Sequence, residues 1–393
     1  MRALNMVLLV LLLVACHGEP KAVAAQTPPA GSDSATLPGD LRITACVDTS
    51  DQGNREAIAC LRRFFAKKLD DEAENDYWYG PDTVRYAHIF NELRYAEYDS
   101  IGDLRYPPML VEVRASVQPG DRMLRVRYAA EGSDGSPQAP RYLFNFHARS
   151  TDKGMRLSFP IEENTRNWER RTIGPITYII SPQQTFKPNE AEQQDLMARL
   201  GSFFDVAPSP ITYYAFAHAQ DLYRSCGFDA HPLMSVIPTG GMVDAAGNVY
   251  AGRSAFYLHE LVHVYADRRQ RAINGLFGEG IATLIGGSGD HDYAWHRANL
   301  KRYLEADPAI DLRDRCNTHM RDEIEGQTSV PYMIGALLCE RILRVDGKAG
   351  LFKAFASGDD QWPTLAAYGI TPATITAELR KELKHDPVQP LGL

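Results

Sequence analysis

Hydrophobic and polar residues follow two different periods in the first part of the chain. Residues 54–69 carry apolar side chains at the spacing of a helical stripe, with lysines near its end. Residues 109–117 and 123–130 instead alternate apolar and polar positions on either side of a turn sequence, and residues 141–150 and 155–161 repeat that arrangement. The pattern predicts one helix followed by two β-hairpins.

Further along, the pattern changes to apolar runs separated by helical stripes. Residues 176–181 and 211–217 are short apolar runs suited to buried strands, and residues 189–204 between them have a helical stripe that Asn189 can cap. Strand, helix and strand in this order predict a β-α-β unit. Residues 248–251 predict one more strand, directly before a largely apolar helix.

The C-terminal half is predicted to be mainly helical. The apolar helix is expected to begin near Ser254, and residues 292–304 and the apolar segment 332–343 are predicted to be further helices. The predicted fold class is therefore α+β. We expect a small helix-plus-antiparallel-sheet domain over residues 40–171, and a second domain over residues 172–393 with a small mixed sheet.

The first residues are predicted to lie outside the fold. Residues 6–15 form an apolar run too short to span a bilayer, typical of a secretory signal peptide over residues 1–15. The following Cys16 completes a Leu-Val-Ala-Cys sequence that resembles the bacterial lipobox. This resemblance predicts that the chain is exported and anchored to a bacterial membrane by a lipid on Cys16. The protein would then face the periplasm or the cell exterior. Residues 16–39 predict a flexible tether. The alternative is a plain secreted protein with an incidental cysteine.

Composition narrows the function classes. The chain has 393 residues, 44% hydrophobic and 23% charged, which is an ordinary globular balance with room for two domains. Its formal net charge is −8, and the sequence pI is about 5.8. Because phosphate neutralisation needs a clustered basic excess, this balance argues against a nucleic-acid-binding protein.

The remaining cysteines are consistent with disulfides in an oxidising compartment. Cys46 and Cys60 would close a short loop and form the favoured pair. Of the other three, Cys226 and Cys316 are the predicted second pair, and Cys339 is expected to be buried and unpaired in an apolar helix. A cysteine-rich metal site is disfavoured because the sequence has no C-x-x-C spacing.

The chemistry is concentrated in the apolar helix after Ser254. His259, Glu260 and His263 have the order H-E-x-x-H, and residues four apart lie on the same face of a helix. Both imidazoles can therefore bind one zinc ion while Glu260 lies beside them. A catalytic zinc needs a further protein ligand. The candidates are Glu279, within an apolar segment, and Asp267, one helical turn beyond His263.

The longer pattern H-E-x-x-H-x-x-G-x-x-H is not met, because Ala266 and Arg269 occupy its last two positions. The sequences HELVHVY and FGEGIAT resemble instead those of the gluzincin metallopeptidases. The resemblance covers residues from about 176 to the C-terminus and implies a zincin-like fold there. It also implies Zn²⁺ as the cofactor, with Glu279 as the third ligand.

Further roles follow from the resemblance. It implies that Glu260 acts as general base and that a tyrosine or histidine from the C-terminal half stabilises the oxyanion, for which the candidates are Tyr332, His291 and His296. Residues 248–251 resemble the edge strand that binds an extended substrate. Where some gluzincins have an aspartate that orients a ligand histidine, this chain has Thr283.

Two functions are consistent with these observations. The first is a membrane-anchored zinc-dependent endopeptidase or aminopeptidase-like hydrolase acting on protein or peptide substrates. The second is a non-catalytic surface or periplasmic lipoprotein that keeps the peptidase scaffold for binding or assembly. An intact Glu260 beside the three ligands favours the enzyme, since binding alone does not need it.

Overall fold

A computed structural model describes residues 41–69, 77–99, 101–132, 138–185, 187–234, 240–252, 255–318 and 322–392. The first part of the chain contains β1 (Arg42–Ile43), α1 (Gln52–Lys67), α2 (Gly80–Arg85), α3 (Ala87–Arg94), β2 (Pro108–Ala115), β3 (Arg122–Tyr128), β4 (Tyr142–Thr151), β5 (Gly154–Ser158) and α4 (Ile161–Asn164). The predicted helix and both predicted hairpins are confirmed, because β2 pairs with β3 and β4 with β5, each antiparallel.

The second part begins with an antiparallel hairpin and a β-α-β unit. It contains β6 (Glu169–Ile173), β7 (Ile176–Ile180), α5 (Glu190–Phe204), β8 (Ile211–Phe216), α6 (Ala219–Ser225), β9 (Phe228–Ala230), β10 (Gly240–Val243) and β11 (Val249–Gly252). Strands β7 and β8 are parallel and α5 connects them, so the predicted unit is confirmed. The predicted cap is also present, since the Asn189 side chain accepts the backbone N–H of Glu192.

The C-terminal half is mainly helical. It consists of α7 (Leu258–Arg269), α8 (Gly275–Gly286), α9 (Tyr293–Ala306), β12 (Glu323–Ile324), β13 (Thr328–Ser329), α10 (Val330–Phe355), α11 (Trp362–Ala366) and α12 (Ile375–Glu382). Helix α7 begins four residues after the predicted start, and Ser254 itself lies outside the described residues. The fold is thus α+β with mixed sheets, which agrees with the predicted fold class. The zincin-like fold that the resemblance implies stays a prediction.

The second sheet separates two hydrophobic cores. Its strand order is β10-β11-β8-β7-β6, in which the three inner strands are parallel and the two edge strands antiparallel. Along β8, Tyr213 and Ala215 face the core formed with α5, α7, α8 and α10, whereas Tyr214 and Phe216 face the core formed with the first sheet. Burial on both faces explains why β8 has a continuous apolar run.

The first part of the chain therefore supports the second sheet from the side opposite α7. Tyr86 contacts Tyr250 of β11, and Met242 of β10 belongs to the same core. In addition, β9 pairs with β4 and so extends the first sheet, whose path is β1-β2-β3-β4-β5. The domain boundary at residue 171 stays a prediction.

The prediction that residues 248–251 form an edge strand is wrong. The strand predicted at residues 248–251 is present as β11, but it lies inside the sheet between β10 and β8. The edge next to α7 is formed by β10 instead. Its sequence, Gly-Gly-Met-Val, lacks the alternation that identifies strands, and it returns antiparallel to β11 through a turn in which Asp244 accepts two backbone N–H groups.

The favoured disulfide is also wrong. Cys46 is exposed on a loop, with its sulfur 3.4 Å from the Val111 carbonyl oxygen, and forms no disulfide. Cys60 is buried on α1, where its sulfur lies 3.3 and 3.2 Å from the carbonyl oxygens of Tyr77 and Met155, either of which can accept its one S–H proton. The helix turns Cys60 into the first core and away from the loop of Cys46.

The second predicted disulfide is absent as well. Cys226 is buried in the core around the first sheet, whereas Cys316 packs at the margin of the core around α7 and α10. The second sheet lies between these cores, so the two thiols cannot meet. Cys339 is buried in α10, as predicted.

Helices α8 and α10 cross with their backbones in contact. A methyl group at Gly280 would lie 2.3 Å from the carbonyl carbon of Gly335, and one at Gly335 would lie 2.2 Å from the Leu276 carbonyl oxygen. Glycine at both positions permits this approach. The crossing brings Tyr332, one turn before Gly335, toward Glu279 on α8.

Candidate metal centre

Three side chains from two helices converge at the start of α7. The Nε2 atoms of His259 and His263 are 3.2 Å apart, because the residues are one helical turn apart on the same face. Glu279 Oε2, from α8, lies 3.3 Å from His259 Nε2 and 3.6 Å from His263 Nε2. Among the described residues, this is the one group of three or more His, Cys, Asp or Glu side chains arranged to hold a metal ion.

The spacing of these atoms fits a zinc ion. Ligand atoms about 2.0–2.1 Å from a tetrahedral zinc lie roughly 3.3 Å from one another. The three observed separations, 3.2, 3.3 and 3.6 Å, are close to that value. Two imidazoles and one carboxylate are also a ligand set that zinc accepts, and such a set leaves a fourth position for water or substrate.

The cluster has the electrostatics of a cation site. Burial raises the pKa of Glu279, but the charge of His263 and hydrogen bonds from both histidines outweigh burial and hold that pKa well below its usual range. Burial lowers the pKa of His263, but Glu279 more than compensates and raises it to about 9. The buried carboxylate thus carries a negative charge that needs a cationic partner, a role open to protonated His263 or to a bound metal ion.

His259 is oriented by the backbone of the segment after α8. Its Nδ1–H donates to the Gly287 carbonyl oxygen at 2.6 Å, which directs Nε2 at His263 and Glu279. The carbonyl group therefore takes the orienting role that the resemblance would give to an aspartate at Thr283. The Thr283 hydroxyl is buried and has no hydrogen-bond partner among the described residues.

Glu260 lies beside the cluster without belonging to it. Its side chain is buried against Gly241 of β10, where an added methyl group would come within 2.6 Å of Glu260 Cγ and 2.9 Å of Oε1. Burial raises the pKa of Glu260, the two histidines lower it, and the net direction is upward. A carboxylate with a raised pKa next to a metal centre is suited to accept and return a proton.

The three oxyanion candidates differ in position. The Tyr332 ring lies 6.1 Å from the His259 ring and nearly parallel to it. Burial raises the pKa of Tyr332 well above its usual value, helped by Glu279 and Glu260, so its hydroxyl keeps a proton to donate. His291 instead stacks on Trp295 at 3.6 Å.

His296 has both ring nitrogens engaged. Its Nε2 lies 2.8 Å from the Ser288 carbonyl oxygen, so this nitrogen donates, and Nδ1 accepts from Thr328 Oγ1 at 3.0 Å. The structure thus brings Tyr332 to the cluster and gives His296 structural partners. Asp267, the alternative ligand, is not in the converging group.

Two residues near the cluster were missed by the sequence reasoning. Tyr257 is the residue immediately before α7, and its ring lies 5.6 Å from that of His259, nearly parallel to it. Gly241 provides the space that the Glu260 side chain occupies. Tyr257 immediately precedes α7 and could have been considered from its place, whereas Gly241 carries no signal in a single sequence.

Comparison with protein-family models, with curated proteins and with solved structures returns no match to this chain. Among the described residues, none of the helices combines the length and the hydrophobicity that a membrane span requires. The predicted signal peptide, Cys16 and the tether lie outside the described residues, so export and lipid anchoring stay predictions.

Proposed function

We propose that this chain is a zinc-dependent peptidase with a zincin-like catalytic domain. The observation that carries the proposal is the convergence of the ligand atoms of His259, His263 and Glu279 with a separate buried carboxylate, Glu260, beside them. A binding-only scaffold would need the first three side chains at most. The fourth is suited to proton transfer in hydrolysis.

The residues present have distinct roles in this proposal. Zinc, when bound by His259, His263 and Glu279, would polarise a water molecule and the scissile carbonyl group. Glu260 accepts the proton of the attacking water and returns it to the leaving amine. Tyr332 donates its hydroxyl proton in a hydrogen bond to the developing oxyanion.

Strand β10 is the proposed substrate-binding edge. It pairs on one side with β11 and with no other described strand, and its Gly241 lies against Glu260. A peptide that adds to this edge in extended form would place its backbone beside the general base. In this proposal the substrate binds along Gly240–Val243 and not along residues 248–251, which the resemblance had implied.

The proposal is tested by cleavage of a peptide library with the purified full-length protein in detergent. We expect cleavage at peptide bonds that stops when a chelator removes the metal and returns when zinc is added, because proton transfer by Glu260 alone does not activate water sufficiently. Magnesium serves as the control, since it prefers six oxygen ligands. Stoichiometric zinc without cleavage of any peptide would contradict the peptidase and favour a non-catalytic role in binding or assembly.

Gly241→Ala is expected to lower kcat/KM about 10- to 100-fold, because displacement of Glu260 by roughly 1 Å impairs proton transfer. Zinc content should not change. The matched control is Gly252→Ala on the neighbouring strand, where a methyl group would meet its nearest atom at 3.5 Å. Equal kcat/KM values for Gly241→Ala and Gly252→Ala would show that Glu260 tolerates displacement and would count against its assigned position.

A further inference from the structure

Residues 287–291, here called the orienting loop, lie between α8 and α9 and contact His259, one of the proposed metal ligands. Gly286, the last residue of α8, packs on the start of α7, since a methyl group there would lie 2.4 Å from the His259 backbone nitrogen. Gly287 has φ 72° and ψ −160°, and a methyl group on it would lie 2.2 Å from the His291 carbonyl oxygen. Glycine at both positions lets the Gly287 carbonyl reach His259 Nδ1.

Three groups outside the orienting loop fix its conformation. The Gly287 N–H donates to the Thr283 carbonyl oxygen at 2.9 Å, which joins the loop to α8. His296 Nε2 donates to the Ser288 carbonyl oxygen at 2.8 Å. The Tyr257 hydroxyl accepts the Gly289 N–H at 2.8 Å, which joins the loop to the residue that precedes α7.

Tyr257 is thus connected to His259 in two ways. Its ring lies nearly parallel to the imidazole, at 5.6 Å and 15°. Its hydroxyl holds the orienting loop, whose Gly287 carbonyl in turn accepts from His259 Nδ1. The Tyr257 backbone N–H donates to the Tyr213 hydroxyl on β8 at 2.7 Å, so the whole arrangement is attached to the second sheet.

We propose that Tyr257 is a positioning residue for the metal, which sets zinc affinity by holding the orienting loop against His259. This inference rests on the proposed metal site, although it does not need the site to be catalytic. Groups that orient a ligand histidine typically change metal affinity 10–100-fold when they are lost. Here the orienting group is a backbone carbonyl, so the side chain that can be lost is the one that holds the loop.

The test is zinc affinity of full-length Tyr257→Phe, measured by competition with a chromophoric chelator. The variant keeps the ring and loses only the hydroxyl, and we expect the zinc Kd to rise about 10-fold. The absorption spectrum of the cobalt-substituted protein should also change, since it reports ligand orientation. The matched control is Tyr265→Phe on α7, whose hydroxyl is buried without a hydrogen-bond partner among the described residues.

The outcomes separate this inference from the proposed function. Equal zinc Kd values for Tyr257→Phe and Tyr265→Phe would overturn the inference alone. Weaker binding with an unchanged cobalt spectrum, or with a lower melting temperature of the metal-free protein, would assign the effect to fold stability and also overturn it. Weaker binding in a protein that cleaves no peptide would support the inference and contradict the peptidase. A wild-type protein that binds no zinc would contradict both.

Discussion

Glu260→Gln is expected to lower kcat about 1,000-fold or more while the protein still binds one zinc ion per chain. General acid–base catalysis by a positioned side chain contributes about 10²–10⁴-fold, and the amide cannot accept the proton of water. Because Glu260 is outside the group of converging ligand atoms, its replacement leaves the metal site intact. The measurement is kcat on the best peptide of the library, together with elemental analysis of zinc.

The control for this variant is Glu305→Gln, an exposed carboxylate on α9 that should leave both kcat and zinc content unchanged. Glutamine is close in shape to glutamate, so the packing of residue 260 against Gly241 is preserved. A Glu260→Gln variant that cleaves peptides at the wild-type rate would remove Glu260 from the mechanism. Loss of zinc from the variant would instead make Glu260 part of the metal site.

Glu279→Gln is expected to weaken zinc binding about 100-fold or more. Structural zinc sites bind with about 10–16 kcal/mol, so the loss of one charged ligand of three removes at least twice the roughly 1.4 kcal/mol that corresponds to a tenfold change. The substitution also removes the negative charge that faces both histidines. The zinc Kd is measured by chelator competition, with Glu305→Gln again as the control.

An unchanged zinc Kd in Glu279→Gln would transfer the third-ligand role to another group. Asp267 is the first candidate because it is one turn beyond His263 on α7, and its carboxylate contributes to the raised pKa of that histidine. Asp267→Asn would then show the loss expected for Glu279→Gln. A loss of zinc affinity in one of these two variants would thus identify the third ligand.

Periodicity accounts for much of what could be predicted. The i, i+4 spacing placed His259 and His263 on one face of α7, and the apolar runs identified β7 and β8. Glu279 was predicted from resemblance and from its apolar neighbours on α8. These features are local, so the residues concerned carry their own signal in the sequence.

The failures concern contacts between distant segments. The disulfides depended on which core each thiol enters, which a spacing between cysteines does not reveal. Strand β10 was missed because a Gly-Gly pair lacks alternation, and its pairing made β11 an inner strand. The partner of His259 is a backbone carbonyl, and every residue has one, so no residue type could have identified Gly287.

The central claim is that one zinc ion, held by His259, His263 and Glu279, is required for peptide hydrolysis by this chain. The most direct test is a titration of zinc into metal-free wild-type protein, with the cleavage rate of one library peptide as the readout. We predict that the rate rises in proportion to added zinc and reaches its maximum at one equivalent per chain. A metal-free protein that cleaves at full rate, or a fully loaded protein that cleaves nothing, would contradict the claim.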